Sequence, residues 1–146
     1  MPIPPVRFYE TMVELVHLGV RAHTDGDVFA HLRDEHVVFA GDPMWSDYRP
    51  NIEGADIQGH IKALKQILRM KPGVIVPGYG PVAKIEKAQR FIEYLETMDM
   101  NIQSMNGQDL AGPDLIRNVL PPSAQRWKMS WLGETSIRHL MHKARP

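Results

Sequence analysis

The chain has 146 residues, 43% of them hydrophobic and 23% charged, which is typical of one soluble globular domain. It contains no cysteine, which excludes disulfides, thiolate catalysis and cysteine-based zinc sites. Lysine plus arginine equals aspartate plus glutamate at 17 each, which argues against nucleic-acid binding. We expect neither a signal peptide nor a membrane span, because the first residues have no basic start and the sequence has no long apolar run.

The first forty residues predict β-strands. Residues 28–32 alternate in character, which places Val28, Ala30 and Leu32 on one face. Residues 37–40 are continuously apolar, as is typical of a strand covered on both faces, and Gly41-Asp42-Pro43 is predicted to end it. The predicted strands are residues 6–9, 12–18, 28–32 and 37–40.

The remaining sequence predicts helices around one further strand. After a loop over 44–54, Asp56 is expected to cap a helix whose apolar stripe is Ile57, Ile61, Leu64 and Leu68. The later elements are predicted as a buried strand at 74–76, a long helix over 82–105 ended by Asn106-Gly107, and two short helices at 113–120 and 134–143. This order predicts a single layered α/β domain over 1–146, and we expect it in the cytoplasm.

Three short motifs stand where predicted strands end, and strand ends of layered α/β folds are common places for sites. They are the turn from His23 to Asp27, the pair Gly41-Asp42, and Pro77-Gly78-Tyr79-Gly80-Pro81. In this order and spacing the set resembles the metallo-β-lactamase superfamily, and most closely its glyoxalase-II-like and lactamase-like hydrolases. The resemblance runs from about residue 6 to 84, and the tail helices also fit.

The resemblance implies roles for three residues. His23 would be a zinc ligand, Asp42 would be the carboxylate that bridges two zinc ions, and Tyr79 stands at the family's histidine-ligand position. A phenol keeps its proton at neutral pH, so it is a poor zinc ligand. The alternative interpretation of His23 and Asp42 is that they are inherited turn residues, with Thr24, Asp25 and Asp27 satisfying backbone groups of the turn.

The family's main cluster, His-x-His-x-Asp-His, occurs nowhere in the 146 residues. A catalytic zinc ion usually takes three protein ligands, so His23 and Asp42 are expected to form at most a vestigial or partial site. We therefore expect no catalytic residues and no cofactor in the lone chain, with zinc bound only if the site is completed.

The family fold is an αββα sandwich, and the sequence matches its second half: a mixed sheet with helices on one face. Half a sandwich would leave an apolar sheet face bare over residues 13–18, 28–32 and 37–40, which soluble monomers rarely tolerate. We expect a truncated, inactive protein whose homodimer covers this face. The alternatives are one chain of a split zinc hydrolase, completed by a partner with the missing cluster, and a truncated product without selected activity.

Overall fold

A computed structural model describes residues 5–105 and 111–143. No helix in this part of the chain is long and apolar enough to cross a membrane. In chain order the elements are β1 (Val6–Phe8), β2 (Thr11–His17), β3 (Val28–Leu32), β4 (Val37–Trp45), α1 (Ile57–Arg69), β5 (Val74–Tyr79), α2 (Ile85–Ser104), α3 (Gly112–Val119), a short 3-10 helix (Pro122–Ala124) and α4 (Ser130–Lys143).

The five strands form one sheet in the order β1-β2-β3-β4-β5. The first four pair antiparallel with their chain neighbours, whereas β5 pairs parallel to β4. Parallel neighbours need a crossover connection, and α1 provides it. The predicted fold class is confirmed: the chain forms a mixed sheet covered by helices on one face.

The covered face of the sheet holds the core. Phe29, Val38, Ala40 and Ile75 are each at most 1% exposed there, and α1 and α2 pack over β4, the strand that carries Val38 and Ala40. The predicted stripe of α1 is confirmed, with Ile57, Ile61 and Leu64 buried and Leu68 partly buried against the same core. Asp56 caps α1 as predicted, since its carboxylate accepts a hydrogen bond of 2.7 Å from the Gly59 amide.

The opposite face of the sheet has no helix over it within the described residues. Its side chains include Phe8 at 67%, Val28 at 39% and Phe39 at 44% exposure. The prediction that residues 37–40 are covered on both faces is therefore wrong. The side chains of a strand point alternately to the two faces, so Val38 and Ala40 are buried under the helices while Phe39 points to the open face.

Two strands run further than predicted. The sequence Gly41-Asp42-Pro43 does not end β4, which continues to Trp45. The pairing with β5 shifts register on both sides of Gly41, which has a φ of 59°, so the strand bends there and continues. The strand β5 likewise extends past residue 76 to Tyr79.

The helix boundaries differ from the predictions by a few residues, most at α4, which begins four residues early. The long helix α2 begins at Ile85, three residues later than expected, because residues 82–84 include Ala83, which bridges Ile75 in an extended conformation. The predicted end of this helix at Asn106-Gly107 lies outside the described residues. Across residues 5–105 and 111–143, four α-helices and five strands in this order give an α+β architecture.

Candidate functional site

The His23 turn is braced by its own side chains. Asp27 accepts hydrogen bonds from the Thr24 amide at 2.9 Å and from the Thr24 hydroxyl at 2.8 Å, and that hydroxyl accepts from the Gly26 amide at 3.2 Å. The predicted turn-stabilising roles of Thr24 and Asp27 are confirmed. Asp25 takes no part in these bonds and lies 3.4 Å from Arg21 on the surface.

The first turn of α1 packs directly against the His23 turn. The Asp56 amide donates to the Ala22 carbonyl at 3.0 Å. A Cβ placed on Gly59 would lie 1.8 Å from the Arg21 carbonyl oxygen, so only glycine permits this approach. The helix thereby fixes the position of the neighbouring His23, whose side chain is 17% exposed.

The structure brings His23 next to Asp42, as the resemblance implied. The distance from His23 Nε2 to Asp42 Oδ2 is 3.6 Å, and the Asp42 side chain is 46% exposed. Gly78 of β5 lies against the same carboxylate, since a Cβ there would be 2.5 Å from Asp42 Oδ1. The three sequence motifs, which lie far apart in the chain, therefore meet at the end of β4.

Tyr79 is held as an aromatic partner of Trp45. Their rings stack at a centroid distance of 4.1 Å, and Trp45 Nε1 donates to the Asp42 carbonyl at 2.8 Å. The Tyr79 carbonyl accepts from the Ser46 amide at 2.9 Å, which fixes the strand end as well. Tyr79 is 42% exposed and Trp45 only 4%, so Trp45 covers this end of the core.

His60 is a residue of this region to which the sequence pattern assigned no role. It is fully buried, and its Nε2 donates to the Pro43 carbonyl at 2.7 Å. Burial, with a smaller contribution from nearby His23, lowers the pKa of His60 to about 4, so its ring is neutral at pH 7. A signal was available, because His60 lies three residues after Ile57 on the apolar stripe of α1.

Two buried imidazole nitrogens near the His23–Asp42 pair lack hydrogen-bond partners within the described residues. They are Nδ1 of His23 and Nδ1 of His60. Buried polar atoms without partners are uncommon in folded proteins. The two atoms therefore make the interior next to His23 and His60 locally polar.

The residues of this site do not by themselves fit a catalytic zinc ion. Within 5–105 and 111–143, no three His, Cys, Asp or Glu side chains converge in a way that could hold a metal. A catalytic zinc ion takes three protein ligands, and His23 with Asp42 supplies two. The ring of Tyr79 is stacked on Trp45 and is not a favourable ligand at neutral pH.

No family model matches the sequence. The structure is similar to a metallo-beta-lactamase from Pontibacter korlensis, with a TM-score of 0.57, 19% identity, and coverage of 64% of this chain and 45% of that one. It is also similar to a metallo-beta-lactamase family protein from Thermus thermophilus, with a TM-score of 0.65, 14% identity, and coverage of 95% of this chain and 46% of that one. The chain thus spans under half the length of each and has the fold of part of a metallo-β-lactamase domain.

Proposed function

We propose that this chain is a metallo-β-lactamase-like half-domain that has no hydrolase activity of its own and forms a homodimer through its open sheet face. The observation that carries the proposal is the bare apolar face of a sheet whose fold matches 45% and 46% of the two longer proteins. In the family architecture named above, a second sheet packs on this face. A second copy of the chain offers a surface of the same shape and chemistry.

The composition of the open face favours an apolar partner. Strand pairing places Phe8, Val13, Leu15, Ala30 and Phe39 on this one face. From β1 to the Phe39–Val76 pair, none of the described strand positions on this face is Asp, Glu, Lys or Arg, and Asp42 lies beyond the register shift at Gly41. Over this part of the face two copies meet without burying unpaired charge, which is the main electrostatic obstacle to such an interface.

The energy of covering the face is large relative to the stability of a domain. Apolar surface contributes about 25 cal/mol per Å² when it is removed from water, so several hundred Å² contributes on the order of 10 kcal/mol. Typical domains are stable by about 5–15 kcal/mol. A two-fold dimer uses the same patch on both copies and so covers both open faces at once.

The inactivity of the lone chain follows from its ligand count. His23 and Asp42 lie together, but a third converging ligand is missing from the part of the chain that the structure describes. Without a firmly bound metal ion, the lone chain cannot activate a water molecule for attack or polarise the electrophilic group of a substrate.

Light scattering of the purified chain tests whether it forms a homodimer. Metal analysis, together with an assay of β-lactam and thioester hydrolysis, tests whether the lone chain lacks hydrolase activity. We expect a particle of two chains, far less than one zinc ion per chain, and no hydrolysis above background. A stable monomer would contradict the dimer. Stoichiometric zinc with turnover that His23→Ala and Asp42→Ala abolish would contradict the inactivity.

A second candidate function is one chain of a split zinc hydrolase. It is favoured by the 3.6 Å approach of His23 to Asp42, which keeps two family ligand types side by side. A partner chain carrying His-x-His-x-Asp-His would then cover the open face and complete the ligand set. Mixing the two chains with zinc tests this: a heterodimer that hydrolyses substrate supports it, whereas a persistent homodimer without activity rejects it.

A further inference from the structure

A cavity between α3 and α4 is separate from the His23–Asp42 pair. Its volume is about 780 Å³, and its apolar walls include Pro113, Ile116 and Trp131. Cavities of this size, roughly 300–1,000 Å³, with apolar walls and a few convergent polar groups are typical small-molecule sites. None of the site residues described above lines it.

Arg49 supplies a buried positive charge at this cavity. The residue is only 4% exposed, and two of its nitrogens donate to the carbonyls of Ser130 at 3.1 Å and Gln125 at 2.8 Å. Its Nε is buried with no hydrogen-bond partner, and no carboxylate pairs with the guanidinium, within the described residues. A guanidinium has five N–H donors, so its capacity is largely unused. Carbonyl dipoles solvate the charge but do not neutralise it, and a buried unpaired charge is costly.

Two further guanidinium groups line the same cavity. Arg138 donates hydrogen bonds to Glu134 Oε1 from Nε at 3.0 Å and from Nη2 at 2.7 Å. These bonds lower the pKa of Glu134, and the two charges neutralise each other. Arg117 is 71% exposed and only 3.5 Å from Asp114 at the surface, so its side chain is free to turn toward a ligand. Glu134 offsets Arg138 and Asp114 in part offsets Arg117, so within the described residues Arg49 is the lining guanidinium that has no carboxylate beside it.

We propose that this cavity binds a small organic carboxylate with an apolar body. The carboxylate is held by Arg49 and Arg117, because guanidinium groups match carboxylate geometry and charge-assisted bonds are the strong ones. The apolar body lies against Ile116 and the exposed Trp131 ring. The apolar walls contribute no binding free energy to an inorganic anion, so the site selects an anion that carries a hydrophobic group.

Isothermal titration calorimetry of the full chain with phenylacetate tests the proposal, with neutral phenylacetamide and inorganic phosphate as comparison probes. We expect saturable binding of phenylacetate and weaker or absent binding of the other two. Arg117→Gln should weaken phenylacetate binding about tenfold, as the loss of a charge-assisted hydrogen bond predicts. Trp131→Ala should weaken it as well, while Lys62→Gln on exposed α1 surface removes one positive charge elsewhere and should change nothing.

Arg117 and Trp131 are each at least half exposed, so their variants should leave the fold intact. The variant Arg49→Lys tests the buried guanidinium, provided that the variant still unfolds cooperatively. The proposal is overturned if phenylacetate does not bind up to about 10 mM. It is equally overturned if phenylacetamide binds as well as phenylacetate, or if Lys62→Gln weakens binding as much as Arg117→Gln. If inorganic phosphate binds more tightly than phenylacetate, the site is one for simple anions and the apolar walls play no part in recognition.

Discussion

The Trp45 indole and the Tyr79 phenol ring stack nearly parallel, at 23° between their planes, across the paired ends of β4 and β5. The pair stands immediately beyond Asp42 and Gly78. The aromatic stack lies where the family resemblance implies a histidine ligand, and we expect it to stabilise the sheet end.

Removing the phenol ring should therefore cost stability. Tyr79→Ala is expected to lower the free energy of unfolding by about 1–2 kcal/mol, because a stacked aromatic pair contributes about 0.5–1.5 kcal/mol beyond its area burial. Tyr79→Phe keeps the ring and should be nearly neutral. Urea unfolding followed by tryptophan fluorescence measures both, and equal losses for the two variants would show that the hydroxyl, not the stack, is what matters.

Gly78 should tolerate no side chain. A Cβ at this position would lie 2.5 Å from Asp42 Oδ1 and 2.7 Å from the Gly41 carbonyl carbon, and backbone cannot move aside as a side chain can. Gly78→Ala should lower the free energy of unfolding by roughly 2 kcal/mol. The control is Gly26→Ala, because a Cβ there meets nothing within 4 Å. Chemical denaturation compares the two, and a neutral Gly78→Ala would mean that β5 can move away from Asp42 without cost.

Buried His60 should make the protein less stable in mild acid. Its pKa is about 4 in the fold, against 6.5 for an ordinary histidine, so the unfolded chain binds the proton more readily. The contribution of the neutral ring is complete above pH 6.5 and is lost as the pH falls toward 4, by about 3 kcal/mol in total. Other groups titrate in this window, so the comparison is with His60→Gln, which keeps a donor toward Pro43.

Urea midpoints measured from about pH 7.5 to about pH 4 should fall more steeply for the original chain than for His60→Gln. Parallel curves would show that the ring of His60 takes up its proton in the folded state without cost. That result would place water or another polar group at Nδ1, the buried atom without a partner in the described part of the chain.

Phe39 should be central to the proposed dimer. It is 44% exposed in the middle of the open face, opposite Ala30 and Val76. Phe39→Lys removes about 1.5–3 kcal/mol of apolar burial from each copy, which weakens a two-fold dimer by more than about a hundredfold. Met100→Lys changes a side chain of α2 that is 63% exposed, on the helix-covered side of the sheet, and should leave the assembly intact. Sedimentation velocity distinguishes the two, and identical profiles would remove Phe39 from the interface.

Local signals predict most elements of the fold. The cap at Asp56 and the stripe of α1 depend on spacing within one helix, so the sequence is sufficient for them. The apolar run at 37–40 is wrongly predicted as doubly covered because composition does not show whether a second layer is present. The end of β4 is predicted too early because the bend at Gly41 depends on pairing with β5, which is more than thirty residues away.

The candidate site is predictable in part, for the same reason. His23, Asp42 and Tyr79 are found through a resemblance in motif order, and the structure places the first two 3.6 Å apart. The burial of His60 could have been predicted from its place on the apolar stripe of α1, whereas the cavity at Arg49 depends on packing between distant segments: Arg49 bonds to Gln125 and Ser130 near the other end of the chain. Such contacts leave no periodic trace, so only the tertiary structure reveals them.

The strand order of the sheet repeats the order of the chain, and this has a consequence for how the protein is made. The strands β2, β3 and β4 each pair with the strand synthesised just before, so these three pairs form through local contacts and early. A growing chain leaves the ribosome with its amino end first, and a meander of this kind is able to assemble while the later helices are still being translated. Until α1 and α2 pack against the partly formed sheet, both of its faces are exposed to solvent. The packing of these helices is then the step at which a chaperone would protect the chain from aggregation.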